Sequence, residues 1–310
     1  MSIEVAESQS CPGYVDGPPW LFKGSALYQL HLVKADIARS FIPKDLRLVE
    51  AFGYTLGGFF LARYDDSPAG MFDELVVIAG IVWNPPTSCA WAARVLVNSH
   101  KACRHGRKHV GLPSHVARFS KSCSKQRVMA TSENPKSKWN GFLNMIGISS
   151  TCSSPKGCMD IQVTEITGSS ATALCDINLP TDALESKSDK KWLGPAIRMS
   201  LPSFSGRTVH NPHLLKYSCQ IECRVRAVEP AKISGPTTAL QSDEGRSFDE
   251  PSFNSNDDLR DVFAENDSLN RSISVLLSKP IFALEFNSLK MQVDAPTIVS
   301  QRSDNVVSDS

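Results

Sequence analysis

Ser114 and His115 are adjacent residues whose types could serve as a nucleophile and its general base. A serine hydroxyl becomes nucleophilic when a correctly placed histidine accepts its proton. Neighbouring residues of a strand, however, point to opposite faces, which would separate these two side chains. The sequence also lacks the Gly-x-Ser-x-Gly turn that presents a serine in many hydrolases. We therefore expect both residues to line or flank a cavity rather than to form a catalytic pair.

The cysteines and histidines do not show the spacing of a metal site. On a strand, Cys219 and Cys223 would share a face at a separation of about 13 Å, which is too far for one ion. Cys152 and Cys158 lie in a segment rich in Ser, Gly and Pro without a neighbouring histidine, and the seven histidines lack the spacing of zinc ligands. We predict no metal and no cofactor, and we interpret the cysteines as small buried thiols.

The elements that must position these residues are mostly strands. Residues 216–227 alternate strictly between apolar and polar, which indicates a half-buried strand, and residues 161–177 alternate around Gly168-Ser169 as a hairpin does. Residues 75–83 are apolar on both faces and predict a central strand. Helical signals are confined to residues 35–41 and 98–107. The sequence therefore predicts a mainly β (α+β) fold, an antiparallel sheet or barrel with a few short helices.

Composition divides the chain into one domain and three peripheral segments. We predict an N-terminal extension over residues 1–16, a single domain over 17–300 and a flexible tail over 301–310. Between residues 241 and 267, nine acids face two arginines in a background of Ser and Asn. This bias predicts an unstructured acidic insertion over residues 237–275.

Charge and hydropathy exclude several classes of function. The formal net charge is +1, which gives no general attraction to nucleic acid. The chain also lacks the run of about 20 apolar residues that a membrane-spanning helix needs. Basic residues dominate 94–127, and they could bind an anion, bind an acidic partner or pair with the acidic insertion. Glu4, Glu7 and Asp16 precede the first basic residue, a pattern unlike a signal or transit peptide, so we expect a cytoplasmic location.

The segment 102–115, with the sequence ACRHGRKHVGLPSH, resembles the signature of the acetoacetate decarboxylase family. In that family a short helix ends in Gly-Arg, and a turn containing proline then delivers two adjacent lysines. Residues 17–43 and the pair Asp73-Glu74 match two further landmarks of the family in the same order. The resemblance implies that most of the chain folds as the antiparallel β-cone or barrel of this family.

The same resemblance implies that the parent chemistry is lost. The family decarboxylates β-keto acids through a lysine that forms a protonated imine with the ketone. The position of that lysine is occupied by Ser114 and that of the second lysine by His115, and a hydroxyl cannot form an imine. The substrate-binding arginine of the family falls at Gly24, one of its two glutamates falls near Phe59, and the other matches Glu74.

Glu74 and two lysines remain as candidates for other chemistry. By the resemblance, Glu74 is either a cavity acid with a raised pKa that exchanges protons, or a strand-edge carboxylate in water. Lys108 and Lys121 flank the motif. We expect Lys108 to be solvated on a helical turn and Lys121 to follow the end of a strand, so both are poor substitutes for the lysine that forms the imine.

Residues 24–34 and 84–94 further resemble a plant subfamily required for formation of the xanthophyll neoxanthin, a precursor of abscisic acid. This resemblance implies a role in that pathway without decarboxylation, by binding an apolar or isoprenoid-like ligand or a protein partner. An altered acid–base enzyme that uses Glu74 is the alternative. The resemblance also leaves open a homo-oligomer, and the pathway points to the plastid as a second location.

Overall fold

A computed structural model describes residues 14–124, 157–181, 194–236 and 256–299. Twelve strands occur in these ranges: β1 Trp20–Lys34, β2 Tyr54–Asp66, β3 Phe72–Asn84, β4 Thr87–Val97, β5 Ser114–Ser124, β6 Gly157–Thr167, β7 Ser170–Thr181, β8 Ala196–Thr208, β9 Asn211–Val228, β10 Lys232–Ser234, β11 Lys279–Val293 and β12 Thr297–Ile298. The helices are α1 Ala35–Arg39, α2 His100–His105 and α3 Asn256–Leu276, and a π-helical turn, Gly106–Val110, continues α2.

Seven of the strands close into a barrel. β1, β2, β3 and β4 pair in antiparallel order, and β1 also pairs with β11, which pairs with β9, which pairs with β8. The ring closes where Ala90 and Trp91 of β4 pair in parallel with Ser203 and Phe204 of β8. The prediction of a mainly antiparallel β-barrel with few helices is confirmed.

A second sheet extends from the barrel beyond β4. Val95 of β4 pairs in parallel with Ser114 of β5, and β5, β6, β7 and β10 then follow in antiparallel order. The predicted hairpin around Gly168 is therefore present as β6 and β7. At its C-terminal half, β4 is shared between the barrel and this sheet, and Ser114 starts β5 at that junction.

The strand alternation separates two hydrophobic cores. On β2, Phe60, Ala62 and Tyr64 point into the barrel, where they pack with inward-facing residues of the other barrel strands. Phe59 and Leu61 point outward into a core enclosed by β2–β4, the second sheet and α3. Alternate residues of one strand therefore serve different cores, as the two-residue period of a strand requires.

The expectation of an unstructured insertion is wrong for its C-terminal part. Asn256–Leu276 forms a helix of 21 residues, in which Leu269, Ser272, Val275 and Leu276 are buried. The spacing of three and four residues forms one face of a helix, and packing of that face on the barrel stabilises it. The acidic composition of the segment hid this period. Residues 237–255, with 1–13 of the predicted extension and the tail 301–310, lie outside the described residues.

The segment that delivers Ser114 is built from a cap, a helix and a glycine turn. The Ser99 hydroxyl accepts a hydrogen bond from the Ala102 N–H at 3.2 Å and caps α2. The π-helical turn ends at Gly111, whose φ is 69°. A Cβ on Gly111 would also lie 2.9 Å from the Leu215 side chain, so both conformation and space favour glycine there. None of the described helices is long and apolar enough to cross a membrane.

Candidate functional site

Glu74 lies on β3 with its carboxyl group directed into the barrel. The Tyr64 hydroxyl, on the neighbouring strand β2, donates a hydrogen bond to Glu74 Oε2 at 2.7 Å. Burial raises the pKa of Glu74 from 4.5 to about 7, and the hydrogen bond from Tyr64 opposes this rise by stabilising the ionised form. The structure thus favours a half-buried acid that faces the barrel interior over a carboxylate in water, and a group with this pKa can accept or donate a proton near neutral pH. A catalytic role for Glu74 stays a prediction.

Hydroxyl and thiol groups share the barrel interior with Glu74. Burial raises the pKa of Tyr64 and Tyr217, and the negative charge of Glu74 raises both further. Burial together with Glu74 raises the pKa of the Cys219 thiol to about 12. These groups are therefore protonated at neutral pH and can donate hydrogen bonds, whereas a thiolate nucleophile at Cys219 is disfavoured.

Ser114 is 2% exposed and begins β5 on the face that points toward the barrel. Its carbonyl oxygen accepts hydrogen bonds from Arg107 Nε at 2.6 Å and from Cys103 Sγ at 3.4 Å. A Cβ on Gly106 would lie 2.6 Å from Ser114 Oγ, so the helix end packs closely on the hydroxyl. Ser114 and Glu74 face the same side of the sheet from β5 and β3, with β4 between them.

His115 points away from Ser114, as strand geometry predicts, so the two do not form a nucleophile–base pair. Its Nδ1 lies 2.7 Å from Glu165 Oε1. Glu165 also accepts two hydrogen bonds from the Arg94 guanidinium, each of 2.9 Å. Arg94 contacts Glu265 of α3 as well. His115 thus belongs to a network of charged groups between β4, the second sheet and α3, outside the barrel interior.

The sequence predicted this network only in part: the Arg94–Glu265 contact matches the alternative in which the basic residues 94–127 pair with the acidic insertion, whereas the role of Glu165 was missed. Ligand atoms of His115, Glu165 and Glu265 lie within 4.8 Å of one another, a spacing that could hold a metal ion. Arg94, however, already donates to both carboxylates, and an ion would have to displace its buried guanidinium. We therefore interpret the cluster as an ion-pair network. A signal existed in the sequence, because Glu165 continues the positions of Ile161 and Val163 on β6, which are buried in the core outside the barrel.

The nearby lysines do not replace the missing amine. Lys101 Nζ donates to the Pro68 carbonyl oxygen at 2.7 Å. Lys121 Nζ forms an ion pair with Asp73 at 2.5 Å, and Lys108 is exposed on the π-helical turn. Each of these three ammonium groups is thus paired or exposed to solvent, and none lies beside Glu74 in the barrel interior.

Two positions at which the resemblance places other active-site residues are closed by packing. At Gly24, a Cβ would lie 2.0 Å from the Arg63 carbonyl oxygen, so β1 and β2 leave no room for a side chain there. Phe59 is fully buried in the outer core and points away from the barrel interior. Of the candidate residues, the structure therefore brings only Glu74 and Ser114 to one face.

Comparison with known proteins identifies both the fold and the family. No protein-family model matches the chain. Among solved structures, the acetoacetate decarboxylase of Legionella pneumophila has a TM-score of 0.50 and 13% identity, covering 97% of this chain and 98% of that chain. An acetoacetate decarboxylase-like enzyme from Sphingomonas wittichii RW1 has a TM-score of 0.50 and 11% identity, covering 96% and 99%. At such identities these likenesses bear on the fold alone.

Three plant proteins are far more similar in sequence, and each carries the name NEOXANTHIN-DEFICIENT 1. The protein from Solanum lycopersicum is 62% identical over 283 residues, covering 91% of this chain and 92% of its own length. The protein from Oryza sativa subsp. japonica is 59% identical over 94% of this chain and 93% of its own length, and that from Arabidopsis thaliana is 56% identical over 96% and 99%. This chain, with its acetoacetate decarboxylase-like fold, belongs to the NEOXANTHIN-DEFICIENT 1 family.

Proposed function

We propose that this protein supports the formation of neoxanthin, and so of abscisic acid, without decarboxylating a β-keto acid. The name shared by three relatives of 56–62% identity supports the pathway. The observation that carries the proposed mechanism is the hydroxyl of Ser114 at the position where the resemblance expects an amine. A carboxyl at Glu74 and the neighbouring hydroxyls can exchange protons, but they cannot supply the electron sink that an imine provides.

We further propose that the protein acts by binding an apolar, isoprenoid-like molecule at one end of the barrel. Leu30 and Leu32 of β1 continue the inward-facing positions that begin with Trp20, and they pair with Phe282 and Leu56 respectively. Leu56 is 44% exposed, and the other three are half-buried. At this end of the barrel, the last inward-facing residues of β1, β2 and β11 are therefore apolar yet accessible to solvent, a combination that favours contact with an apolar molecule.

An acid–base enzyme is the second candidate, and the pKa of Glu74 favours it. A carboxyl with a pKa of about 7 beside the Tyr64 hydroxyl suits proton transfer in an isomerase or hydrolase reaction. In that case Glu74, rather than the apolar end of the barrel, would carry the function.

Complementation of a plant line that lacks this family separates the two candidates. Wild type, Glu74→Gln and Leu56→Asp would be expressed at matched levels, and neoxanthin would be measured by chromatography. We expect wild type and Glu74→Gln to restore neoxanthin and Leu56→Asp to fail. Restoration by Leu56→Asp but not by Glu74→Gln would favour the enzyme. Failure of the wild type, expressed as soluble protein, would contradict the role in neoxanthin formation.

Two further measurements complete the test. Borohydride added to the purified protein with acetoacetate should trap no adduct, and an adduct on any side chain accompanied by release of carbon dioxide would contradict the proposal. The same plant lines would locate the protein, because a C-terminally tagged chain imaged beside plastid markers distinguishes the cytoplasm from the plastid.

A further inference from the structure

A basic pocket lies beside the segment that delivers Ser114. Its volume is about 210 Å³, and it is lined by His100, Cys103, Arg104, Arg107, Lys108, Val116 and His210. The residues come from α2, the π-helical turn, β5 and the turn between β8 and β9. Three of them carry a permanent positive charge, and no acid lines the pocket.

Arg107 is the best-positioned group of this basic pocket. Its Nε is fixed by the hydrogen bond to the Ser114 carbonyl oxygen at 2.6 Å. Its two terminal nitrogens form no hydrogen bond or ion pair with any residue in the described ranges. A guanidinium held through Nε presents those two nitrogens as a preorganised pair of donors, a geometry that suits two oxygens of one anion.

Arg107 and Lys108 supply fixed positive charge to the basic pocket, whose described lining contains no carboxylate. Burial lowers the pKa of His210, and the charges of Arg107, His115 and Lys108 lower it further. Glu165 lies behind this segment, but it is committed to Arg94 and His115. The fixed positive charges of Arg107 and Lys108 in one concavity therefore repel each other unless an anion enters.

We propose that the basic pocket binds a phosphate group, either free or as the ester of a small molecule. The pocket has the room of about seven waters at about 30 Å³ each, which suits a phosphate with a short substituent. A doubly charged oxyanion matches the two fixed positive charges of Arg107 and Lys108 better than a carboxylate does. The site is independent of the proposed apolar site, which lies on inward-facing residues at one end of the barrel.

Titration of the full-length protein with inorganic phosphate tests this assignment. Calorimetry would measure affinity at low ionic strength, and the ring resonances of His210 would report binding in the pocket by NMR. We expect saturable binding that shifts the His210 signals, and the double variant Arg107→Gln/Lys108→Gln should weaken it at least about tenfold, since it removes two charge-assisted contacts. Lys108→Gln alone, at an exposed residue whose loss should not disturb folding, should weaken it severalfold.

Arg198→Gln is the matched control, because it removes one exposed positive charge on β8 outside the basic pocket. It should leave phosphate affinity unchanged within about twofold. Acetate should bind at least about tenfold more weakly than phosphate, because it carries one charge and makes fewer charge-assisted hydrogen bonds. Absence of saturable phosphate binding, equal weakening by Arg198→Gln and Lys108→Gln, or equal affinity for acetate would each overturn the proposal.

Discussion

Glu165→Gln should destabilise the protein strongly and in a pH-dependent way. The side chains of Arg94 and Glu165 are only 2% and 5% exposed, and two hydrogen bonds of 2.9 Å join them. Burial alone would raise the pKa of Glu165, but the hydrogen bonds and charges of His115 and Arg94 outweigh it and lower the pKa from 4.5 to about 2. At about 1.4 kcal/mol per pKa unit, this fall corresponds to about 3 kcal/mol of stability.

The pH dependence follows from the sign of this change. Because the folded protein binds the Glu165 proton less tightly than the unfolded chain, the contribution is complete above the unfolded pKa of about 4.5. It is then lost as the pH falls through that value toward 2. Removing one partner of a buried ion pair lowers the free energy of unfolding by about 3–5 kcal/mol in other proteins, which agrees with the value of about 3 kcal/mol for Glu165.

Urea denaturation followed by circular dichroism measures the effect. At pH 7 we expect Glu165→Gln to lower the free energy of unfolding by about 3 kcal/mol, and the difference from wild type should shrink between pH 5 and pH 2. Glu222→Gln is the control, because Glu222 pairs with Arg198 at the surface, where the side chains are 50% and 84% exposed. It should cost less than about 1 kcal/mol. A Glu165→Gln variant within about 1 kcal/mol of wild type, or a difference that does not change with pH, would refute the reasoning.

Two further substitutions test the barrel interior and the strand packing. Tyr64→Phe removes the donor that stabilises ionised Glu74, so the pKa of Glu74 should rise above about 7 in a ¹³C NMR titration of the carboxyl group. The control Tyr28→Phe should leave the pKa of Glu74 unchanged. An unaltered pKa of Glu74 in Tyr64→Phe would contradict the role of this hydrogen bond. Gly24→Ala places a Cβ 2.0 Å from the Arg63 carbonyl oxygen and should lower the free energy of unfolding by about 1–3 kcal/mol, whereas Gly17→Ala, with nothing within 4 Å, should be neutral. Equal stability of the two glycine variants would show that β1 and β2 adjust without cost.

Local patterns were sufficient to predict most elements of the fold. The alternation in residues 216–227 predicts the strand that forms much of β9, and Gly168-Ser169 predicts the turn between β6 and β7. Strand alternation and turn formation depend on the types of residues close together in the sequence, so both can be predicted from the sequence alone. Helix α3 was missed because its stability comes from the packing of one buried face on the barrel, while its composition resembles that of an unstructured segment.

Contacts between distant segments account for what the sequence did not predict about the site. Arg94 and Glu165 are 71 residues apart, and Arg94 and Glu265 are 171 apart, so no local pattern links them. Closure of the barrel likewise joins Ala90 to Ser203 across more than a hundred residues. Glu165 could have been suspected from its place on an apolar strand face, but its partners could not have been named.

The sequence by itself determined that residue 114 presents a hydroxyl, and the loss of imine formation there follows from covalent chemistry in any fold. The tertiary structure alone decided the state of the groups around that residue. Burial beside Tyr64 raises the pKa of Glu74, close approach of two strands removes the space at Gly24, and Glu165 holds His115 outside the barrel. Each of these properties depends on which atoms surround a group in space, and side-chain type does not fix those surroundings.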